Sequence, residues 1–200
     1  MPPKIIGISG TNGSGKDTVG MILADNEHGY LFVSVSDMLR SELKKQGVKL
    51  TREATRGLSA AWRREFGLGV MIDKAVNEYE RVGGDKSFKG LAVASLRSPA
   101  EADAIHERGG IVLWLDADPK LRYDRISASL DKRGKDRAAT DEISFAKFIA
   151  DEDAEMSSDN NDPSQLSMLD VKAKSDLFLI NDSYDIDQLK LKLNKLLGFS

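Results

Sequence analysis

The chain has 200 residues, which suits one domain with a small inserted lid and is sufficient for a sizeable hydrophobic core. Hydrophobic residues make up 40% and charged residues 30%, and the net charge of −3 gives no reason to expect binding to nucleic acid or to an anionic membrane. The absence of cysteine excludes disulfides and thiolate metal sites. With no signal peptide and no apolar run of the roughly 18 residues that a membrane span requires, we expect a soluble, cytoplasmic protein.

The first predicted element is a short strand, Lys4–Ser9, that leads into a glycine-rich turn and then into a helix. The turn, Gly10-Thr-Asn-Gly-Ser-Gly-Lys16, fits the G-x-x-x-x-G-K part of the phosphate-binding loop. Glycines let successive backbone N–H groups point inward around an anion, and the start of the following helix adds its positive dipole end. We therefore predict that a nucleotide binds here, to Gly10, Thr11, Asn12, Gly13, Ser14, Gly15, Lys16, Asp17 and Thr18.

The residue that follows the lysine departs from the usual pattern. Ser or Thr normally stands there and ligates Mg²⁺ through its hydroxyl, whereas this chain has Asp17, with Thr18 one place later. We predict that Lys16 contacts the β- and γ-phosphates. Asp17 and Thr18 are the candidate magnesium residues, acting through bound water.

Four more strands are predicted along the chain, and most of them are continuous apolar runs rather than alternating ones. Continuous runs indicate burial on both faces, hence a parallel sheet covered by helices. With helical patterns between the strands, we predict a doubly wound α/β fold with a five-stranded parallel sheet, whose ligands bind at the carboxyl ends of the strands. The four strands are Tyr30–Ser34, Leu91–Leu96, Gly110–Ala117 and Asp176–Asn181.

The stretch between the second and third strands is about 55 residues long, whereas a simple crossover needs only about a dozen. We expect residues 37–90 to form a helical, substrate-covering insertion within a single domain, with helices over 37–46, 51–66 and 69–82. Pro119 is expected to begin a later helix that runs through Leu130, after which a lid spans 131–156. In that region we predict a basic loop over 131–140, a helix from Asp141, a solvated acidic loop over 151–162, and a last helix near 185–197.

Several arginines follow the predicted strands or lie in the basic loop. Arg40 comes just after the second strand and Arg97 just after the third, so both are predicted to bind an acceptor phosphate. Arg133 and Arg137 are expected to close over the γ-phosphate and exclude water. Phosphoryl transfer needs this kind of alignment and positive charge rather than covalent help from the protein.

Two segments resemble motifs of adenylate kinases and their relatives: Val33-Ser-Val-Ser-Asp-Met-Leu-Arg40, and Ser95-Leu-Arg-Ser-Pro99. The chain as a whole is most similar to small archaeal-type nucleotide kinases described as dephospho-CoA-kinase-like. The shared features include Thr51-Arg-Glu53, Trp62-Arg-Arg-Glu-Phe-Gly67 and Leu179-Ile-Asn-Asp-Ser183. The resemblance implies a P-loop kinase with ATP as phosphate donor, Mg²⁺ as cofactor and Arg40 and Arg97 at the acceptor. It also implies that Asn181–Tyr184 lies near the donor base.

Two features depart from these relatives. They carry an acidic residue three places before the third-strand arginine, where this chain has Ala94. They also carry an arginine in the helix after the lid, whereas residues 138–156 here contain none. The first departure leaves metal handling to Asp17, and the second removes part of the positive charge expected of the lid.

Three functions remain open at this stage. The first is a kinase of nucleoside or deoxynucleoside monophosphates, acting as a monomer or homodimer on small-molecule nucleotides. The second is a dephospho-CoA kinase, in which Asp37 acts as base toward a ribose hydroxyl; in a monophosphate kinase Asp37 would instead orient a neighbouring arginine. The third is a nucleotide-binding regulatory protein with little transfer activity, for which Ala94 and the weakly charged lid are the reasons.

Overall fold

A computed structural model describes residues 2–128, 144–156, 164 and 166–199. It contains one sheet of five strands in the order β2-β3-β1-β4-β5, and every neighbouring pair is parallel. The predicted fold class, a doubly wound α/β fold with a five-stranded parallel sheet, is confirmed. The strands are β1 (Ile5–Gly10), β2 (Tyr30–Ser34), β3 (Gly90–Ala94), β4 (Ile111–Asp116) and β5 (Leu177–Ile180).

The described helices alternate with these strands. The first five are α1 (Lys16–Leu23), α2 (Val35–Lys45), α3 (Arg52–Phe66), α4 (Val70–Arg81) and α5 (Pro99–His106), with a single 3₁₀ turn at Gly84–Lys86 before β3. The remaining ones are α6 (Pro119–Ala128), α7 (Phe145–Met156), α8 (Met168–Ala173) and α9 (Ile186–Leu197). Within the described ranges, none of these helices has the length and apolar character that a bilayer span requires.

Two parts of the sequence prediction need correction, and both concern the region around α7. The acidic run that was expected to be a loop from Asp151 onward is helical as far as Met156, because it continues the helix that carries Phe148. The helix expected from Asp141 begins at Phe145, and 141–143 lie outside the described residues, as does the predicted continuation of α6 to Leu130. The short helix α8 was not predicted at all.

Apolar side chains cover both faces of the sheet, which explains why the strands are continuous apolar runs. Ile6 and Ile8 of β1 point to the face that α1 and α9 cover, and they are fully buried there. The opposite face packs against α4, α5 and α8, and Trp114 of β4 lies in that second cluster. The two clusters bury most of β1 and β4, so the loop that follows β1 starts from the buried centre of the sheet.

A fully buried ion pair joins the helical insertion to the sheet. Arg63 of α3 donates to Oε1 of Glu101 at 2.6 Å, and neither side chain has more than 2% of its surface exposed. The other carboxylate oxygen, Oε2, accepts from the backbone N–H of Arg97 at 2.7 Å and of Ser98 at 3.2 Å. Glu101 therefore fixes the turn after β3, which carries Arg97, and holds α3 against it.

A second polar cluster closes the turn between α1 and β2. Oδ1 of Asp25 accepts from the backbone and ring nitrogens of the buried His28, and Oδ2 accepts from Lys190 of α9 at 2.8 Å. The other ring nitrogen of His28 is hydrogen-bonded to Asn194. Burial alone would raise the pKa of the Asp25 carboxyl, but the hydrogen bonds from Lys190 and His28 outweigh it and hold that pKa well below its ordinary value. His28 therefore has a structural role, with both ring nitrogens bonded to neighbouring side chains.

Replacing Glu101 with glutamine is expected to lower the free energy of unfolding by about 3 kcal/mol, because it leaves the Arg63 guanidinium buried without its counter-charge. Urea unfolding at pH 7 measures the change. Glu107→Gln, at the exposed end of the same helix, is the matched control and should change stability by less than about 0.5 kcal/mol. Equal stability of the two variants would contradict this account of the pair.

Asp25→Asn is expected to lower the free energy of unfolding at pH 7 by about 1–3 kcal/mol. Because the folded-state pKa of Asp25 is depressed, its stabilising contribution is complete above the unfolded value of about 3.9 and is lost as the pH falls below it. The difference in free energy of unfolding between wild type and variant should therefore become smaller between pH 5 and pH 3. Asp187→Asn, exposed on α9, serves as control, and a gap that is independent of pH would refute the assignment.

Candidate functional site

The loop after β1 has a backbone that only glycine accommodates at three positions. Gly10, Gly13 and Gly15 have φ values of 137°, 79° and 103°. A Cβ atom on Gly10 would lie 2.0 Å from the carbonyl oxygen of Leu115, and one on Gly15 would lie 2.6 Å from Nδ2 of Asn181. The glycines thus permit both the left-handed turns and the close approach of β4 and β5.

Neighbouring strands hold this loop in place through hydrogen bonds. Thr11 donates its hydroxyl to Oδ1 of Asp116 at the end of β4, at 2.8 Å. Nδ2 of Asn181, just after β5, donates to the carbonyl oxygen of Ser14 at 2.8 Å, and Arg122 donates to the carbonyl oxygen of Asn12 at 3.1 Å. The loop is therefore formed in advance of any ligand.

Lys16 begins α1 and donates its ammonium to two carbonyl oxygens of the same loop, those of Gly10 at 2.8 Å and Thr11 at 2.6 Å. Burial lowers the pKa of Lys16 to about 8, and the positive charge of Arg97 adds to this effect, while Asp17 and Glu155 oppose it. A polyphosphate bound in the loop would replace these carbonyls as partners of the ammonium and favour its charged form.

The loop opens into a cavity of about 380 Å³ whose other walls come from α2, α3, α7 and the turn after β3. Of the residues predicted from the sequence, Arg40 and Arg97 line the same cavity as the loop, so the structure brings the two arginines and the loop together. The other predicted residues that line it are Asn12, Gly13, Gly15, Lys16, Asp17 and Thr18.

Some predicted site residues do not line the cavity. Gly10, Thr11 and Ser14 form the loop from behind, and Ser14 and Thr11 are buried. The side chain of Asp37 is 57% exposed, and its carboxylate accepts from Arg40 at 3.3 Å. Arg133 and Arg137 lie outside the described residues, as does the first half of the predicted lid, 131–143.

The structure adds basic residues that were not among the predicted site residues, although Arg52 and Arg63 lie within the shared motifs quoted above. Arg52, Arg56 and Arg63 of α3 line the cavity together with Arg125 of α6. The first two are four places apart and the third follows seven places later, a spacing that puts them on one face of a helix. That spacing is the signal by which the sequence could have revealed them.

Helix α7 supplies the negative charges that face these arginines. Glu155 accepts from Arg97 at 2.5 Å and from Arg56 at 2.9 Å, and Asp151 lies 3.8 Å from Arg52. Burial would raise the pKa of Glu155, but Arg97 and Arg56 outweigh it and lower that pKa below its ordinary value. Among the described residues that line the cavity, Asp17 and Glu155 are the carboxylates.

The end of β3 carries Ala94 at the position where an acidic residue was expected from the resemblance, followed by Ser95. Ala94 is fully buried in the sheet and provides no ligand atom toward the cavity. Ser95, which follows it, has a φ of 72° and lines the cavity, an uncommon backbone conformation for a residue with a side chain. The carbonyl oxygen of Leu96 accepts from the hydroxyl of Ser9 at 2.8 Å.

Arg125, which also lines the cavity, bridges α6 and the segment after β5. It donates to the carbonyl oxygens of Asn181 at 2.8 Å and Ser183 at 2.7 Å, and its guanidinium lies 5.3 Å from the centre of the Tyr184 ring. A flat cationic group beside an aromatic ring provides a surface on which another planar group can stack.

Comparison with known proteins agrees with the sheet and the loop. Residues 6–150 match the family model described as AAA domain. The chain is 27% identical over 195 residues to a UPF0200 protein of Pyrobaculum aerophilum, with 96% of each chain covered.

Solved structures with low sequence identity share the fold. Protein TT1252 of Thermus thermophilus has a TM-score of 0.55 at 19% identity, with both chains fully covered. Shikimate kinase of Bacteroides thetaiotaomicron has a TM-score of 0.54 at 13% identity, with 97% of this chain and 98% of that one covered. The sheet and helices described above are therefore those of a P-loop kinase fold.

The affinity for a non-hydrolysable ATP analogue is expected to fall roughly tenfold between pH 7 and pH 9, because Lys16 loses its charge above a pKa of about 8. Calorimetric titration at several pH values measures this. Lys16→Arg keeps its charge throughout this range, so the ratio of the two affinities isolates the lysine from the titration of the analogue itself. A ratio that stays constant with pH would contradict the assigned role of Lys16.

Proposed function

The chain belongs to the AAA domain family, and from that premise we propose that it is an ATP-dependent phosphotransferase that acts on a nucleoside or deoxynucleoside monophosphate. One observation carries the proposal: a single cavity is lined both by a phosphate loop and by Arg40 and Arg97. An acceptor without a phosphate would not require two arginines in the same cavity as the donor site.

The donor ATP would bind with its phosphates in the loop and its base beyond Arg125. The glycine-rich turn and the start of α1 suit a chain of phosphates. Lys16 would contact the β- and γ-phosphates. The surface formed by Arg125 and Tyr184 supports the expectation that Asn181–Tyr184 lies near the donor base.

The residues at the start of α1 are compatible with magnesium. Mg²⁺ prefers oxygen ligands and keeps several waters, and Asp17 and Thr18 offer a carboxylate and a hydroxyl at the cavity wall beside the loop. The ion would neutralise charge that develops on the phosphates during transfer. With Ala94 in place of the acidic residue of the relatives, Asp17 is the candidate that orients the water around it.

On the acceptor side, guanidinium groups match phosphate oxygens in a forked, two-point geometry. Arg40 and Arg97 approach the cavity from different elements, α2 and the turn after β3, so they would fix the acceptor phosphate from two directions. The fold similarity to a shikimate kinase supports the reaction class and leaves the acceptor open. Arg133 and Arg137 remain candidates for closing the site.

An assay of acceptor-dependent ADP release from ATP tests the proposal. A panel of nucleoside and deoxynucleoside monophosphates should give turnover, and Arg97→Met should lower kcat/KM for the preferred acceptor by at least 100-fold, because a charge-assisted contact to phosphate is lost. Lys16→Met should abolish turnover and weaken ATP binding.

The same panel includes dephospho-CoA, and Asp37→Asn is the discriminating variant. In a monophosphate kinase, Asp37→Asn should raise KM for the acceptor without abolishing turnover, since the exposed carboxylate lies outside the cavity lining and reaches the site through Arg40. Turnover of dephospho-CoA alone, abolished by Asp37→Asn, would overturn the proposal in favour of the second function. Tight ATP binding without ADP release from any acceptor would favour a regulatory protein.

A further inference from the structure

Glu155 occupies the space between two arginines with one carboxylate oxygen for each of them. Oε2 accepts from Nη1 of Arg97 at 2.5 Å, and Oε1 accepts from Nη2 of Arg56 at 2.9 Å. Only 14% of the Glu155 side chain is exposed. A phosphate group offers the same arrangement, two oxygens directed at two guanidinium groups, with a larger negative charge.

This contact lies within the candidate site and is not a distant surface pair. Arg56, Arg97 and Glu155 all line the cavity that contains the phosphate loop. Arg97 is fixed there by the bond from its backbone N–H to Glu101, so its guanidinium starts from a rigid turn. Arg56 approaches from the middle of α3.

Not every arginine of the cavity is available in the same way. Arg63 is fully buried and already pairs with Glu101, Ser59 and the carbonyl oxygen of Ser164. Arg56, in contrast, is 47% exposed and pairs with a helix that is joined to α3 through charged groups. Because the Arg56 side of this ion pair is about half exposed, solvent reaches it and a stronger anion can replace the carboxylate there.

Helix α7 does not have to leave for Glu155 to be replaced. Phe148 is buried and packs against Tyr123 of α6. Met156 packs against the apolar cluster that contains Trp114. Glu152 forms its own ion pair with Arg122. A change in the side-chain conformation of Glu155 would therefore be enough to free the two arginines.

We propose that Arg56 and Arg97 form the subsite for the acceptor's phosphate, and that Glu155 fills this subsite until the phosphate displaces it; this rests on the proposed function. The carboxylate keeps two clustered guanidinium groups from facing each other without a counter-charge. Because displacement requires an anion that binds more strongly than one carboxylate, the arrangement selects phosphorylated acceptors over those with a hydroxyl alone. Arg56 is then a specificity residue in addition to Arg40.

Binding of inorganic phosphate tests this without relying on turnover. The protein is first saturated with a non-hydrolysable ATP analogue, so that the phosphate loop is filled, and phosphate is then titrated calorimetrically. Glu155→Gln should bind phosphate about tenfold more tightly than wild type, since no carboxylate competes for the arginines. Asp153→Asn, exposed on the same helix, is the matched control and should leave the phosphate affinity unchanged.

A double variant, Glu155→Gln with Arg56→Met, should lose the gain in phosphate affinity. Glu155→Asp, whose side chain is too short to reach both arginines, should also increase the affinity for phosphate, although it keeps the negative charge. Thermal unfolding confirms that each variant is folded. Equal phosphate affinity of wild type and both Glu155 variants would overturn the proposal, and a gain that survives Arg56→Met would overturn the role of Arg56. Failure of the analogue to bind wild type would instead refute the proposed function.

Discussion

The structure depends on the balance of charge around one cavity. Six arginines and a lysine line it, a concentration of positive charge that repels itself wherever water is excluded. Carboxylates from two different helices balance part of this positive charge. Glu101 of α5 is fully buried and pairs with Arg63, whereas Glu155 of α7 is partly exposed and pairs with Arg56 and Arg97. The Arg63–Glu101 pair holds the elements that form the cavity together. The Glu155 pairs lie at the cavity wall, where an anion can take the place of the carboxylate.

The fold could be predicted from the sequence because its signals are local. Most strands are continuous apolar runs, and the observed limits lie within two residues of the predicted ones, since the central strands are buried on both faces. The helices of the insertion begin and end near residues with capping preferences; Thr51, for example, accepts from the backbone of Ala54. The short helix α8 has only six residues, too few for a periodic pattern, and was missed.

The site could be predicted only in part because its contacts are long-range. The loop residues, Arg40 and Arg97 were predicted from motif spacing and from their positions after the strands. Most of these predicted residues line the cavity. Nothing local distinguishes Arg56 from a solvated arginine, because its role arises from Glu155, which lies 99 positions later in the chain. The acidic run of α7 was interpreted as a solvated loop for the same reason: its charges meet partners on α3, α6 and the turn after β3.

The bond from Asn181 to the carbonyl oxygen of Ser14 has a consequence for how the molecule can be divided. The segment that matches the family model ends at residue 150, but the phosphate loop accepts a hydrogen bond from Asn181, 31 positions beyond that limit. A fragment that ended there would also lack β5, so the backbone of β4 would become an unpaired edge of the sheet. The part of the chain that matches the family model therefore depends on the carboxy-terminal quarter for a hydrogen bond to its phosphate loop and for the strand that pairs with β4.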